Sequence, residues 1–191
     1  MSNKKTRYAA VALSALLFSA NSLAQVYVGG TVGQARWETN CSQASFCDTY
    51  DTSFSILGGY HFNANWGTEM SYTSLGTIHA SNYTGTGLET ASVKGNNIEL
   101  AGVYRRQIIE KITGFAKLGV AYNQAKISGT VNGFIANGTM NSTKPMLGFG
   151  ITYAINQQIA LRAEMSSRKV EMTSNTSTNV NNFSLGLQAG F

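Results

Sequence analysis

Beyond residue 24 the chain has no long apolar run, a single proline (Pro145), two cysteines and few charges, 12% of all 191 residues. Each scarcity excludes something. Without about 18 to 20 consecutive apolar residues no helix of the mature chain spans a bilayer. Two cysteines cannot make a disulfide-dense scaffold, and neither histidine lies near Cys41 or Cys47, which argues against a metal site there. The formal charge of +5 is largely carried by Lys4, Lys5 and Arg7; the other eleven basic and nine acidic residues leave +2. That balance calls for no nucleic-acid partner. What is abundant instead is Gly, Thr, Ser, Asn and Tyr, a composition that favours many short strands.

Residues 1–24 read as a cleavable signal peptide. Lys4, Lys5 and Arg7 form a positive n-region, Tyr8 to Ala20 an apolar h-region, and Ser22-Leu23-Ala24 a small-x-small cleavage site. The h-region is too short to span a membrane. The mature domain is then 25–191, one domain by length. In an exported chain, Cys41 and Cys47 are expected to close a small loop as a disulfide.

Segments of alternating polarity occur at roughly 25–36, 53–62, 66–75, 96–106, 113–124, 145–155, 159–169 and 182–191. Each is about the 9–11 residues that a tilted strand needs to cross a bilayer. The connections alternate long and short, with tight turns at Asn63-Ala64-Asn65 and Asn156-Gln157-Gln158 and long polar loops at about 37–52, 76–95, 125–144 and 170–181. That pattern predicts an all-β, eight-stranded antiparallel up-and-down transmembrane β-barrel, long loops outside the cell and both termini periplasmic. A soluble β-sandwich is the competing reading.

Period two assigns the faces. Phe54, Ile56, Gly58, Tyr60 and Phe62 fall on one face of their strand, as do Trp66, Thr68, Met70 and Tyr72, and Ile159, Leu161, Ala163 and Met165. These sets are expected to face lipid. The opposite set carries Glu69, Glu99, Arg105, Lys117, Arg162 and Glu164. An eight-stranded barrel is filled by side chains, so these charges are expected to pair in its interior.

Two stretches then carry a resemblance. Tyr27-Val28-Gly29-Gly30-Thr31-Val32-Gly33-Gln34 opens the mature chain. Ile56-Leu57-Gly58-Gly59-Tyr60-His61-Phe62-Asn63-Ala64-Asn65-Trp66-Gly67-Thr68-Glu69-Met70-Ser71-Tyr72-Thr73-Ser74-Leu75-Gly76 follows further on. This longer stretch resembles strands two and three of the OmpA transmembrane domain and related small porin-like barrels. Gly148-Phe149-Gly150-Ile151-Thr152-Tyr153 and Leu161-Arg162-Ala163-Glu164 resemble that family's sixth and seventh strands. The resemblance implies a Gram-negative outer-membrane location, with lipopolysaccharide and other membrane lipid around the barrel. It also implies that the terminal aromatic Phe191 belongs to the signal read by the barrel-assembly machinery. The chain stops at Phe191, so the peptidoglycan-binding domain that follows the OmpA barrel is not expected, and the plan is closer to OmpX-like and opacity-type proteins.

In barrels of this kind the matching inner Glu, Lys and Arg residues form a salt-bridge plug that can switch and pass ions. Two readings stay open: a polar core in a structural or surface-interaction protein, or a narrow gated channel. Exposed loops on a rigid scaffold commonly carry recognition, so a host or extracellular ligand is expected there. A monomer without enzymatic activity or cofactor is expected. His79-Ala80-Ser81-Asn82 is the one enzyme-like segment, because His and Ser two apart share a strand face and lipid A deacylases carry a similar one. It falls in an expected loop, which weighs against catalysis.

Overall fold

A computed structural model describes residues 26–39, 45–84, 87–131, 134–173 and 176–191; the expected signal peptide and Cys41 lie outside them. The strands are β1 (Val26–Trp37), β2 (Phe46–Cys47), β3 (Tyr50–His61), β4 (Trp66–Thr84) and β5 (Gly87–Ile109), followed by β6 (Ile112–Val131), β7 (Phe134–Ala154), β8 (Ile159–Thr173) and β9 (Thr176–Gly190). All pairings are antiparallel, and each long strand bonds to two neighbours. The ring closes where β1 meets β9, from Tyr27 opposite Gly190 to Trp37 opposite Val180. Eight long strands therefore make a barrel, as the alternation predicts. Among the described residues the two-residue β2 lies outside the ring and pairs only with β4, Phe46 opposite Ser81 and Cys47 opposite Ala80.

The faces follow the predicted alternation. Phe54, Ile56, Met70, Tyr72, Leu100, Val120, Phe149, Ile151, Leu161 and Met165 are all exposed on the outer surface. Near the tight turns an aromatic belt forms, with Trp66 against Tyr104 at 4.9 Å and Tyr60 against Phe62 at 5.6 Å. Phe54 to Phe62 is about 27 Å along the strand, or roughly 21 Å of height at a 40° tilt, close to the apolar band of known membrane barrels.

The loops are where the structure departs from expectation. Residues 76–84 and 87–95 are the upper parts of β4 and β5, paired from Thr77 opposite Lys94 to Thr84 opposite Gly87. Residues 125–131 and 134–144 likewise continue β6 and β7 up to Val131 opposite Phe134. The membrane-zone alternation stops there because the outward positions have become largely polar, while apolar residues such as Ile78, Val93 and Ala125 turn inward only near the foot of the hairpins. The ladder itself continues, because backbone pairing needs no apolar side chain and Thr, Tyr, Ile and Val keep strand geometry favourable. The expected loop at 170–181 is likewise the β8–β9 hairpin, paired to Thr173 opposite Thr176.

One irregularity resets the alternation. The β4–β5 register shifts between Ser74 and Thr77, and Gly76 between them has φ +77°. The Asp51 carboxylate accepts the backbone N–H groups of Thr77 (2.5 Å) and Thr52 (2.6 Å). A side chain at Gly76 would collide with Asp51, so only glycine suits this bulge.

Interior packing is just as restrictive. A Cβ at Gly119 would lie 2.1 Å from the Leu100 carbonyl oxygen, whereas at the outward Gly58 the nearest atom is 3.8 Å away. Gly119→Ala is therefore expected to reduce refolding yield and heat resistance strongly, and Gly58→Ala to leave both unchanged. Mobility of boiled and unboiled samples on a cold gel reads both, and an indifferent Gly119→Ala would refute the close approach.

Candidate functional site

Alternation on β4, β6 and β8 turns Glu69, Lys117, Arg162 and Glu164 into the barrel, where all four are buried. Lys117 Nζ lies 2.8 Å from Glu69 Oε1 and 2.5 Å from Glu164 Oε1. Arg162 meets Glu69 at 2.9 Å and Glu164 at 2.6 Å. Tyr27 donates its hydroxyl to Glu69 (2.8 Å), Arg162 donates to Gln188 (3.0 Å), and the guanidinium stacks 4.3 Å from the Phe115 ring centre. In the ring, β4 and β8 are four strands apart in either direction, so the Glu69–Arg162 contact spans the full barrel diameter.

A separate pair sits nearer the long hairpins. Arg168 on β8 meets Glu99 on β5 at 2.9 Å, Ser71 donates to Glu99 at 3.2 Å, and Arg168 donates to Ser166 at 2.5 Å. Alternation points to Glu99; Arg168 escapes the sequence reading, although it is the next inward position after Arg162, Glu164 and Ser166. Tyr27 escapes it too, yet the outward Val26 and Val28 on either side turn it inward. Among the described residues the buried charged side chains are Glu69, Glu99 and Glu164 against Lys117, Arg162 and Arg168, a sum of zero. The gap between the two groups, bounded by Thr31, Ser55, Ser71, Glu99, Lys117 and Arg168, holds about 10 Å³, on the order of one water.

Arg105 does not join this network. It lies at the tight-turn mouth, half-buried, with Nε donating to the Ala64 carbonyl at 2.9 Å, and no described residue forms an ion pair with it. Its inward face is as expected, but its place near the end of β5 brings the Asn63–Asn65 turn within reach before any carboxylate. Phe191 stands at the seam, its N–H on the Val26 carbonyl (2.9 Å), and its ring is exposed. Cys47 sits on β2 and is not a free thiol, while Cys41, its expected partner, lies outside the described residues. His79 and Ser81 share the outer face of β4, but the carboxylate opposite this segment, Glu89, pairs with Asn82 on the other face.

Above the ionic groups the interior turns apolar. Ala35, Trp37, Leu75, Ile78, Ala125, Val170 and Val180 form a buried cluster with Val93 against it. Here the polarity pattern of the membrane zone reverses, polar outside and apolar inside.

Beyond this cap, β4 to β7 rise as a four-stranded sheet. β3 pairs with β4 only up to Ser74, and the β7–β8 ladder ends at Met146 opposite Arg168. On the β4 edge the chain covers itself: Ser45 donates to the Ser81 carbonyl (3.0 Å) and Asp48 to that of His79 (2.8 Å). Among the described residues no strand covers the β7 edge over 134–145. At its foot stands Pro145, and Lys144 pairs with Glu171 across the fork. Ala154 donates towards Lys111 on the β6 side and Ile155 towards Ile159 on the β8 side. The β6–β7 register runs unbroken, so even-numbered residues bond to β6 and odd-numbered ones face the open side. Pro145, lacking an N–H, therefore occupies an open-side position, where no ladder bond is lost.

Removing one member of the diametric network leaves a buried charge unpaired, which costs about 3–5 kcal/mol. Glu69→Ala is expected to lower the stability of the refolded barrel by that order, and adding Lys117→Met to recover part of it. Urea unfolding in micelles measures both; a neutral Glu69→Ala would show that the pairs are not coupled.

Among curated proteins the chain has no match. Solved structures do match. The Neisserial surface protein A barrel is 18% identical, aligned over 87% of this chain and 97% of its own, at TM-score 0.62. The attachment invasion locus protein Ail of Yersinia pestis is 17% identical over 89% and 100%, at 0.58. OprG of Pseudomonas aeruginosa is 12% identical over 90% and 98%, at 0.56. At these identities the likeness concerns fold. By family, the OmpA-like transmembrane domain matches residues 21–189. With its closed ring, lipid-suited exterior and charge-balanced interior, the chain belongs to the OmpA-like transmembrane domain family of outer-membrane β-barrels.

Proposed function

We propose that this protein is a non-enzymatic surface-interaction barrel that presents its four-stranded sheet outside the cell and takes an extended segment of another protein onto the β7 edge. The observation that carries the reading is that edge. Ile135, Asn137, Thr139, Asn141 and Thr143 turn backbone N–H and C=O groups to the open side, and none of them is charged. Natural sheets block exposed edges with charges, prolines or covering loops. Here the covering segment 45–48 lies on the opposite edge, and Pro145 and Lys144 stand only at the foot. Strand addition uses main-chain hydrogen bonds for affinity and alternate side chains for selectivity.

Another copy in the same membrane does not fit. Both copies would point the same way, related by a two-fold axis along the membrane normal, with identical residues level and facing one another. In a parallel ladder a residue facing its partner sits opposite one facing away, so the register fails. That supports a monomer whose partner is a different chain. The charge-balanced interior and the one-water gap favour this reading over the gated channel. Lipopolysaccharide around the barrel and recognition of Phe191 by the assembly machinery complete the proposal.

Thr139→Pro removes an N–H from the open side, the tolerance already seen at Pro145, and is expected to leave the barrel heat-resistant while abolishing adherence of expressing cells to an epithelial monolayer. Met140→Pro removes an N–H that bonds β6 and should disturb the sheet itself. Unaltered adherence of Thr139→Pro cells would refute the edge. Purified protein in planar bilayers should show no steady conductance, and Glu69→Ala should not create a regulated one; a conductance governed by Glu69 or Arg162 would establish the channel.

A further inference from the structure

On four strands the outer surface repeats one order with a step of two residues, apolar, small polar, cation. On β1 it is Val32, Gln34, Arg36; on β5, Ile98, Asn96, Lys94; on β6, Tyr122, Gln124, Lys126; on β8, Met165, Ser167, Lys169. The strands run in both directions, so the order follows height rather than chain direction. Each cation is exposed. The positions opposite these cations are Tyr50 on β3, Thr77 on β4, Thr139 on β7 and Asn179 on β9, none of them charged; Glu38, just past β1, lies beside Asn179 and accepts from its amide.

Four residues are about 14 Å of strand, or roughly 10 Å of height at a 40° tilt above the last apolar row. The cations thus sit clear of the hydrocarbon, at the level where lipid headgroups begin. Lys94 and Lys126 lie directly opposite each other. Like charges in that relation destabilise a sheet unless an anion stands between them. Among the described residues neither lysine has an acidic partner. Two acids on the outer face near this level are engaged elsewhere: Glu38 with Asn179 and Asn181, Glu171 with Lys144. Below the pair, Gln124 and Asn141 are joined by a hydrogen bond (3.3 Å) and Asn96 is paired with Gln124, giving amide groups beside the lysines.

We infer that Arg36, Lys94, Lys126 and Lys169 form a cationic collar that binds the phosphate groups of lipopolysaccharide, with the Lys94–Lys126 pair as its strongest site. The collar supplies point charges, the amide row below accepts and donates to sugar hydroxyls, and the apolar row beneath holds the acyl chains. This rests on the outward orientation proposed above, which places the collar in the leaflet that carries lipopolysaccharide.

The test uses the full refolded barrel in zwitterionic micelles, titrated with lipopolysaccharide, with the same material stripped of its phosphates, and with inorganic phosphate alone. Saturable binding of the intact lipid is expected, lost with the stripped lipid and weakened by salt. One lysine near a charged lipid surface contributes about fivefold, so K94Q/K126Q should weaken binding on the order of 25-fold. Asn137→Gln, on the same sheet above the collar, should not change it. Heat-modified migration of each variant controls for folding. Equal binding of the stripped lipid, or of the lysine double variant, would overturn the collar; tight binding of inorganic phosphate alone would overturn the lipid assignment. Orientation is read separately, by labelling Asn137→Cys on intact cells. Absent labelling would defeat the surface reading and, with it, the lipopolysaccharide assignment; labelling present with binding unchanged in K94Q/K126Q would defeat the collar alone.

Discussion

Everything in this molecule depends on closing a hydrogen-bonded ring. In hydrocarbon an unpaired backbone group costs several kcal/mol, so a strand that crosses the membrane must be bonded on both sides. The β1–β9 seam meets that requirement, and with eight strands it fixes a narrow bore. The narrow bore then selects the interior residues. Glycine stands where strands and side chains press together, as at Gly119 and Gly76, and the remaining space is filled by polar side chains whose charges cancel.

The same constraint explains why the upper part differs so much. Above the apolar band, water can bond to an exposed strand, so pairing on both sides is no longer obligatory. The barrel opens there at Pro145, and four strands continue as a sheet. Polarity inverts with it. Trp37, Leu75, Val170 and Val180 turn inward because the surroundings at that height are aqueous. One chain thus follows two solvent rules, and the same strands obey both along their length.

The membrane zone is legible in the sequence because lipid on one face and polar filling on the other impose period two on every strand. Glu69, Lys117, Arg162 and Glu164 come together as the alternation implies, and Glu99 finds a partner. Arg168 is equally legible once the β8 alternation is continued two residues further. The upper hairpins are not, because their two faces differ little in polarity and the cue vanishes while the pairing persists. Arg105 shows a different limit. Its face can be read, but its height relative to the carboxylates depends on the stagger between strands, which a single strand's pattern does not contain. The bulge at Gly76 is hidden as well, since its cause is Asp51, contributed by a strand earlier in the chain.

The Glu69–Arg162 contact joins opposite walls, with Lys117 and Glu164 tying in a third strand between them. A hydrogen-bonded cylinder resists stretching around its circumference yet flattens easily, because flattening only bends the sheet. Charge pairs across the bore work like spokes in a wheel: an oval cross-section would lengthen some and crush others. The polar core therefore sets the shape of the barrel as well as its filling, and lateral pressure from the surrounding lipid would be carried partly by its ion pairs.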